Sequence, residues 1–287
     1  MSTPAKLAGK LFLFLLLWLI IFPYLITQTE VFHYLKKHYL IGGETYAAIH
    51  CSKLRVEKRK ILVLGDSVAR QLYGVSQYND KIYSLACNQA VSLAGHHILL
   101  QNILKNNADQ ISKVYLVMHP VSFRNNLDQV YVFNYFIKPF YGKENYSRLT
   151  RDTRDRIGKV PLYFTSSFPI ARITNYTPNL AGFDEPMLSA AAERKFKMSF
   201  VSLEYLKKMS SDLRKAGIDF QVVAPVLHDE YRAYATESLK KALADHNLED
   251  HFTGYFQFRY LKKQKFVDLL HYSAPESLGP DPLRLTF

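Results

Sequence analysis

The chain alternates between short apolar runs and longer stretches with helical spacing, which predict strands and helices respectively. The predicted strands cover 61–64, 82–86, 113–118, 220–226 and, with an alternating pattern, 253–260. The predicted helices cover 68–73, 96–107, 189–216 and 234–246. Strands that alternate with helices favour an α/β fold with a central parallel sheet covered on both faces.

An apolar segment lies near the N-terminus. Residues 11–26 are apolar apart from Tyr24 and follow Lys6 and Lys10. No small-x-small cleavage motif and no lipoprotein cysteine follows, which favours an uncleaved signal anchor, a transmembrane helix over 1–27, above a cleaved signal peptide. A buried N-terminal helix of a soluble protein is the remaining alternative. Because the nearest positive charges precede the segment, we expect the body of the protein outside the cytoplasm, periplasmic or at the cell surface.

The rest of the chain divides by composition. Residues 28–58 are polar and mixed and are predicted to form a connector, and 59–287 are predicted to form one domain. An irregular, basic insert at about 124–188 separates the third predicted strand from the long helix. Its aromatic side chains either stack on sugar rings or form a small core of their own. These aromatics are Tyr131, Phe133, Tyr135, Phe136, Phe140 and Tyr141.

The net charge indicates the kind of partner, and the two cysteines raise the question of a disulfide. The formal net charge of +12 favours an anionic partner. For a domain outside the cytoplasm, we expect that partner to be an anionic glycan or lipid head group and expect no nucleic acid. The two cysteines, Cys51 and Cys87, leave two possibilities open, a disulfide or two unpaired buried thiols.

The first chemical candidate is the turn Gly65-Asp66-Ser67, directly after the predicted strand 61–64. The carboxyl ends of parallel strands are where ligands bind in α/β sheets. A helix that begins after Ser67 would point backbone N–H groups at a developing oxyanion. The alternative is a plain helix cap, with Asp66 or Ser67 as the capping residue.

A base for this serine is found near the C-terminus, in the sequence Asp268-Leu269-Leu270-His271. The spacing predicts that both ionisable side chains lie on one face of a helical turn. There the carboxylate can orient the imidazole and stabilise its protonated form. The alternative is an ordinary ion pair at a helix end.

Together the two motifs make the sequence resemble the SGNH/GDSL family of serine hydrolases over about residues 59–275. The resemblance implies a flavodoxin-like three-layer sandwich and ester hydrolysis or acyl transfer through an acyl-serine. It implies that Ser67 is the nucleophile, His271 the base and Asp268 the acid. It also implies an oxyanion hole built from the N–H groups of Ser67 and Gly95, and no cofactor.

One family block departs from the pattern. The family places an asparagine after the third strand to complete the oxyanion hole, but here the strand leads into Met118-His119-Pro120. Asn125 follows a few residues late, and His119 is either a substitute donor or a structural residue. Loss of one oxyanion donor costs on the order of 3 kcal/mol of transition-state stabilisation. The departure therefore keeps open a slower enzyme or a non-catalytic protein with the same fold.

Anchored members with a weak third block resemble bacterial cell-envelope proteins that add or remove acyl groups, foremost acetyl, on polysaccharides. The resemblance implies an extracytoplasmic esterase or O-acyltransferase, and a membrane protein that hands over acyl groups becomes a possible partner. The main alternative is a non-catalytic scaffold or glycan-binding protein of the envelope. A nucleophile-elbow hydrolase is a weaker alternative, because several strands should then precede Ser67. The histidines show no metal-ligand spacing, so no metal is expected.

Overall fold

The computed structural model describes residues 3–26, 29, 43–88, 91–127, 130–132, 136–137, 143–158, 194–279, 283 and 285. The chain is a mixed α/β protein with a central, mostly parallel sheet. The helices are α1 Thr3–Ile26, α2 Gly43–Ser52, α3 Ser67–Tyr73, α4 Ser92–Asn107, α5 Lys143–Arg148, α6 Arg151–Gly158, α7 Phe200–Lys215 and α8 Glu237–Ala244, with a single turn at Val130–Val132. The strands are β1 Lys60–Gly65, β2 Val75–Gln77, β3 Ile82–Leu85, β4 Ile111–Val117, β5 Asp219–Val223, β6 Leu227–His228 and β7 Tyr260–Leu261.

The main sheet has the strand order β2-β3-β1-β4-β5. Its strands are parallel except β2, a three-residue edge strand that pairs antiparallel with β3 and that the sequence pattern did not predict. In the register, Gly65 lies opposite Val117, and Val117 lies opposite Val223. The carboxyl ends of β1, β4 and β5 therefore meet at one edge of the sheet.

The central strand β1 is buried along its whole length because both faces of the sheet are covered. Leu62 and Leu64 belong to the core on the side of α4 and α7, whereas Ile61 and Val63 pack on the opposite side with α3. This explains why β1 is apolar from Ile61 to Leu64. Burial of each such side chain contributes roughly 1.5–3 kcal/mol to the free energy of unfolding.

Three predicted helices differ from the structure by more than one residue. The helix predicted at 234–246 is α8, Glu237–Ala244, and is shorter at both ends. Helix α7 begins at Phe200, not at 189, because Ser199 caps it by accepting a hydrogen bond from the Ser202 N–H at 3.0 Å. Residues 194–199 before it are not helical, and 189–193 lie outside the described residues. Helix α4 begins at Ser92, four residues earlier than predicted.

The predicted strand at 253–260 is wrong. The segment forms turns, and only its last residue belongs to a strand, the short β7 that pairs with β6 in a separate sheet. Its alternating aromatic pattern arises from ring packing: Tyr255 and Phe258 meet edge to face at 5.7 Å. The Tyr255 hydroxyl also donates to the Met118 carbonyl at 2.9 Å, which ties the turns to the end of β4.

The N-terminal helix α1 contains a 19-residue stretch, Pro4–Phe22, with a mean hydropathy of 2.1 and no buried residues. It is long and apolar enough to cross a membrane, a property that membrane anchors and signal sequences share. In the predicted connector, residues 43–58 are described and contain helix α2, whereas the predicted insert lies largely outside the described residues. Within the described part of the insert, Phe136 is buried in the main core rather than in a separate one. No disulfide joins Cys51 to Cys87.

Candidate active site

The turn after β1 serves as a helix cap and also presents a serine. Asp66 precedes α3, and its Oδ1 accepts hydrogen bonds from the N–H groups of Val68 and Ala69 at 3.0 and 3.3 Å. Ser67 is the first residue of α3 and is 5% exposed. A Cβ on Gly65 would lie 2.1 Å from the Val117 carbonyl oxygen, so only glycine fits where the chain turns.

Asp66 also fixes the neighbouring loop after β4. Its Oδ2 accepts hydrogen bonds from the His119 N–H at 2.8 Å and from the Ser122 hydroxyl at 2.7 Å. Burial raises the pKa of the Asp66 carboxyl, and these hydrogen bonds, with those at the helix start, oppose the rise. The carboxylate thus links the turns that follow two adjacent strands, β1 and β4, by hydrogen bonds. Nothing in the sequence pattern singled out Ser122.

The structure brings Ser67, His271 and Asp268 together although 204 residues separate the serine from the histidine. The Ser67 Oγ lies 2.8 Å from His271 Nε2, and His271 Nδ1 lies 2.8 Å from Asp268 Oδ2. The carboxylate fixes the tautomer, because it accepts the proton on Nδ1 and leaves Nε2 as the acceptor for the serine hydroxyl. This is the arrangement that makes a serine hydroxyl nucleophilic.

The loop that carries the acid and the base is not the predicted helical turn. Residues 267–271 form bends between Phe266 and Tyr272, which pair as an antiparallel bridge. Asp268 Oδ1 accepts the N–H groups of Leu270 and His271, each at 2.7 Å. An aspartate that binds the backbone two and three residues ahead closes such a bend without a helix.

A reciprocal pair of hydrogen bonds fastens this loop to the helix of the serine. The Gln71 side chain donates to the Tyr272 carbonyl at 3.3 Å and accepts from the Tyr272 N–H at 3.0 Å. Gln71 lies one turn after Ser67 on α3, so the pair holds the residue next to His271 at a fixed height above the serine. Sequence reasoning missed this contact, because nothing in the local pattern links Gln71 to Tyr272.

The acid of the triad is partly open to solvent, with Asp268 54% and His271 29% exposed at their side chains. Partial burial acts to raise the pKa of the Asp268 carboxyl. Hydrogen bonds from the His271 ring and from two backbone N–H groups outweigh it, and the pKa lies below its ordinary value. Asp268 is therefore a carboxylate at neutral pH.

The backbone N–H of Ser67 is placed to bind an oxyanion. It is the first N–H of α3, where a helix has no internal acceptor to offer. No described hydrogen bond occupies it. The helix start adds a partial positive charge at the same point.

The other two predicted oxyanion donors, Gly95 and Asn125, lie in different structural settings from Ser67. Gly95 lies inside α4 rather than in a loop, and a Cβ there would meet Val91 at 2.4 Å and Phe136 at 2.9 Å. Close packing alone thus accounts for the glycine. Asn125 is buried at the end of the short helix Pro120–Arg124, and its carbonyl accepts the Ser199 hydroxyl at 2.9 Å. Oxyanion roles for Gly95 and Asn125 stay predictions.

His119 occupies the place of the missing asparagine. Its Nδ1 accepts the Val121 N–H at 3.2 Å, so the neutral ring carries its proton on Nε2. Burial lowers the pKa of His119 to about 3, with the charges of His271 and Arg124 adding to the effect. The Nε2 is buried and has no hydrogen-bond partner among the described residues, and the ring packs edge to face against Tyr231 at 4.8 Å. Donor and structural roles both fit this neutral ring.

Comparison with known proteins finds one weak structural similarity and no sequence match. No protein-family model matches this chain, and no curated protein matches it. A solved structure described as "The structure of a putative platelet activating factor from Streptococcus pneumonia" is similar at 12% identity over 82% of this chain and 88% of that chain, with a TM-score of 0.33. A similarity this weak carries no argument about fold or activity. Among the described residues, no three His, Cys, Asp or Glu side chains converge on a possible metal site.

Proposed function

We propose that this chain is a membrane-anchored serine esterase or O-acyltransferase with the SGNH fold. Its substrates would be acyl esters, foremost acetyl esters, of cell-envelope glycans, and its domain would lie outside the cytoplasm. The observation that carries the proposal is the continuous hydrogen-bonded chain from Ser67 through His271 to Asp268, with 2.8 Å at both contacts. The fold assignment is supported by the position of the serine directly after the central strand β1.

In the first half of the reaction, the Ser67 Oγ attacks the ester carbonyl while His271 Nε2 takes the hydroxyl proton. The Ser67 N–H donates to the oxygen that becomes negatively charged. Asp268 stabilises the imidazolium that forms. When the tetrahedral intermediate collapses, His271 gives the proton to the leaving alcohol, and the acyl group stays on Ser67.

In the second half, a water molecule or a sugar hydroxyl attacks the acyl-serine. His271 takes the proton of that nucleophile and returns it to the Ser67 Oγ. Water as the acceptor gives an esterase, and a sugar hydroxyl gives a transferase. A partner membrane protein that supplies acyl groups would be needed only for the transferase.

The setting is inferred from the apolar helix α1 and from the charge. Helix α1 would anchor the chain in the membrane, and the net charge of +12 suits a surface rich in anionic glycan or lipid head groups.

A covalent probe tests the proposal directly. A fluorophosphonate should label the full-length protein in detergent, and Ser67→Ala or His271→Ala should abolish the labelling. Ser210→Ala is the matched control, because Ser210 also contacts a histidine, at 2.6 Å, yet stands outside the proposed mechanism. An unlabelled wild type that is folded would reject the serine hydrolase and favour a non-catalytic scaffold or glycan-binding protein.

A second experiment separates the two reactions. The protein is incubated with p-nitrophenyl acetate with and without an envelope glycan, and released acetate and acetylated glycan are both quantified. Acetyl groups recovered on the glycan identify a transferase, whereas acetate released at the same rate in both mixtures identifies an esterase.

A further inference from the structure

A surface cavity of about 350 Å³ borders the proposed catalytic centre. One wall is the turn after β4, and the other is the loop that carries Asp268. Both walls are tied to the nucleophile turn, the first by Ser122 to Asp66 and the second by His271 to Ser67. The cavity is therefore held at a fixed distance from the serine. It is lined by Val121, Arg124, Tyr231, Asp268, Leu269 and Leu270.

Arg124 supplies the positive charge of this cavity. Its side chain is exposed, and among the described residues it makes no ion pair. It ends the short helix Pro120–Arg124, which Ser122 anchors to Asp66 at 2.7 Å. The backbone of Arg124 is thus fixed near the proposed site, and its guanidinium can bind a planar oxyanion with two parallel hydrogen bonds.

The nearby carboxylate of Asp268 keeps its negative charge, but its oxygens are hydrogen-bonded to donors other than Arg124. Asp268 is engaged with its own loop, since its two oxygens accept hydrogen bonds from the Leu270 N–H, the His271 N–H and the His271 ring. Arg124 forms no salt bridge with it among the described residues. Tyr231 and two leucines also line the cavity and offer an apolar and aromatic surface to the body of a ligand.

The direction of proton transfer assigns the cavity to one part of the substrate. In the proposed reaction His271 protonates the leaving alcohol, so the alcohol lies on the imidazole side of the ester. The cavity lies on that side, because Asp268, Leu269 and Leu270 immediately precede His271. The carbonyl oxygen of the ester, by contrast, lies toward the Ser67 N–H.

We propose that this cavity binds an anionic group, a carboxylate or a phosphate, on the alcohol part of the ester, with Arg124 as its counter-ion. The inference rests on the proposed function and adds to it a substrate class. The protein would act on acylated alcohols that carry a negative charge near the ester, and would discriminate against neutral ones.

Matched esters test the proposal. Methyl 4-acetoxybenzoate is neutral, whereas 4-acetoxybenzoate carries a carboxylate and 4-acetoxyphenyl phosphate a phosphate. The measured quantity is kcat/KM for each anionic ester divided by kcat/KM for the neutral one, which removes effects common to all substrates. In Arg124→Gln we expect this ratio to fall about tenfold for at least one anion, the size of one exposed charge-assisted contact. The anion with the larger fall is the preferred group.

Two further variants sharpen the result. Arg124→Lys keeps the charge without the fork of donors and should retain an intermediate ratio. Arg214→Gln removes an equally exposed arginine from the opposite edge of the sheet and should leave the ratio within about twofold. Equal ratios in the wild type and Arg124→Gln for both anions would overturn the anion site while leaving the esterase intact. Failure of the wild type to cleave any of the three esters would overturn the proposed function and this inference with it.

Discussion

Two serine–histidine pairs occur in the described part of this protein, and they differ in their surroundings. Ser67 Oγ lies 2.8 Å from His271 Nε2, and Ser210 Oγ lies 2.6 Å from His251 Nε2. Behind the first histidine stands the carboxylate of Asp268, and behind the second stands the backbone carbonyl of Phe220 at 3.1 Å. Only the carboxylate can balance a positive charge on the ring.

The two serines also occupy different places in the fold. Ser67 begins α3 at the carboxyl edge of the sheet, where its N–H is open to an oxyanion. Ser210 lies in the interior of α7, where N–H groups are used within the helix, and its partner stands at the amino end of β5. The larger cavity, about 770 Å³, lies at the Ser210 pair. Both pairs therefore combine a short serine–histidine contact with a neighbouring cavity. The carboxylate and the free helix start are the features that distinguish them.

The largest expected effect separates the two serines by activity. Ser67→Ala should lower the kcat for p-nitrophenyl acetate by at least about 10⁴-fold, because nothing replaces the nucleophile. Ser210→Ala should change kcat by less than about twofold, since its pair has neither carboxylate nor oxyanion donor. Initial-rate kinetics on detergent-solubilised full-length protein measures both. Comparable losses of kcat in both variants would contradict the proposed difference between the two serine–histidine pairs.

The next prediction concerns the carboxylate that contacts Nδ1 of His271. Asp268→Asn should lower kcat by roughly 10³- to 10⁴-fold, because the amide neither fixes the tautomer of His271 nor balances its charge. It converts the Ser67 pair into one that resembles the Ser210 pair, with a neutral oxygen behind the ring. The kcat is measured with p-nitrophenyl acetate, and fluorophosphonate labelling reports whether Ser67 is still reactive. An Asp268→Asn protein with nearly full activity would show that a neutral partner suffices.

A third effect concerns stability. Asp66→Ala should lower the free energy of unfolding by roughly 3 kcal/mol, because it removes a helix cap and leaves buried donors of His119 and Ser122 without acceptors. Ser210→Ala should cost only about 1 kcal/mol, the value of one hydrogen bond. Chemical unfolding followed by circular dichroism measures both. A larger loss of unfolding free energy in Ser210→Ala than in Asp66→Ala would contradict this prediction.

The resemblance of the two motifs, by order and position, to a serine hydrolase family predicted the three residues that the structure brings together. A buried strand that ends in Gly65 fixes where Ser67 emerges, and β1, β3 and β4 lie where their apolar runs predicted. Because parallel strands share a carboxyl edge, the position of Ser67 in the sheet followed from local pattern alone.

The remaining features depend on contacts that local pattern does not encode. Gln71 binds Tyr272 across 201 residues, and no periodicity links them. The aromatic alternation at 253–260 imitated a strand because ring packing among turns produces the same spacing. Gly95 matched a family position by sequence distance, but its place in α4 depends on the earlier start of that helix at Ser92.

The smallest expected effect is the pH dependence of stability that Asp268 introduces and the Ser210 pair lacks. The pKa of Asp268 is lower in the folded protein than its ordinary value of about 3.9, so ionised Asp268 stabilises the fold. That contribution is complete above the ordinary pKa and is lost as the pH falls through the lower, folded value. Unfolding midpoints of the wild type and Asp268→Asn should therefore converge as the pH falls below the ordinary pKa of about 3.9. The change will be small, because the side chain is 54% exposed and solvent screens its interactions. Ser210→Ala is the control, since the carbonyl behind His251 does not titrate. A constant difference between the wild type and Asp268→Asn as the pH falls would show that the carboxylate has no charge-dependent hold on His271.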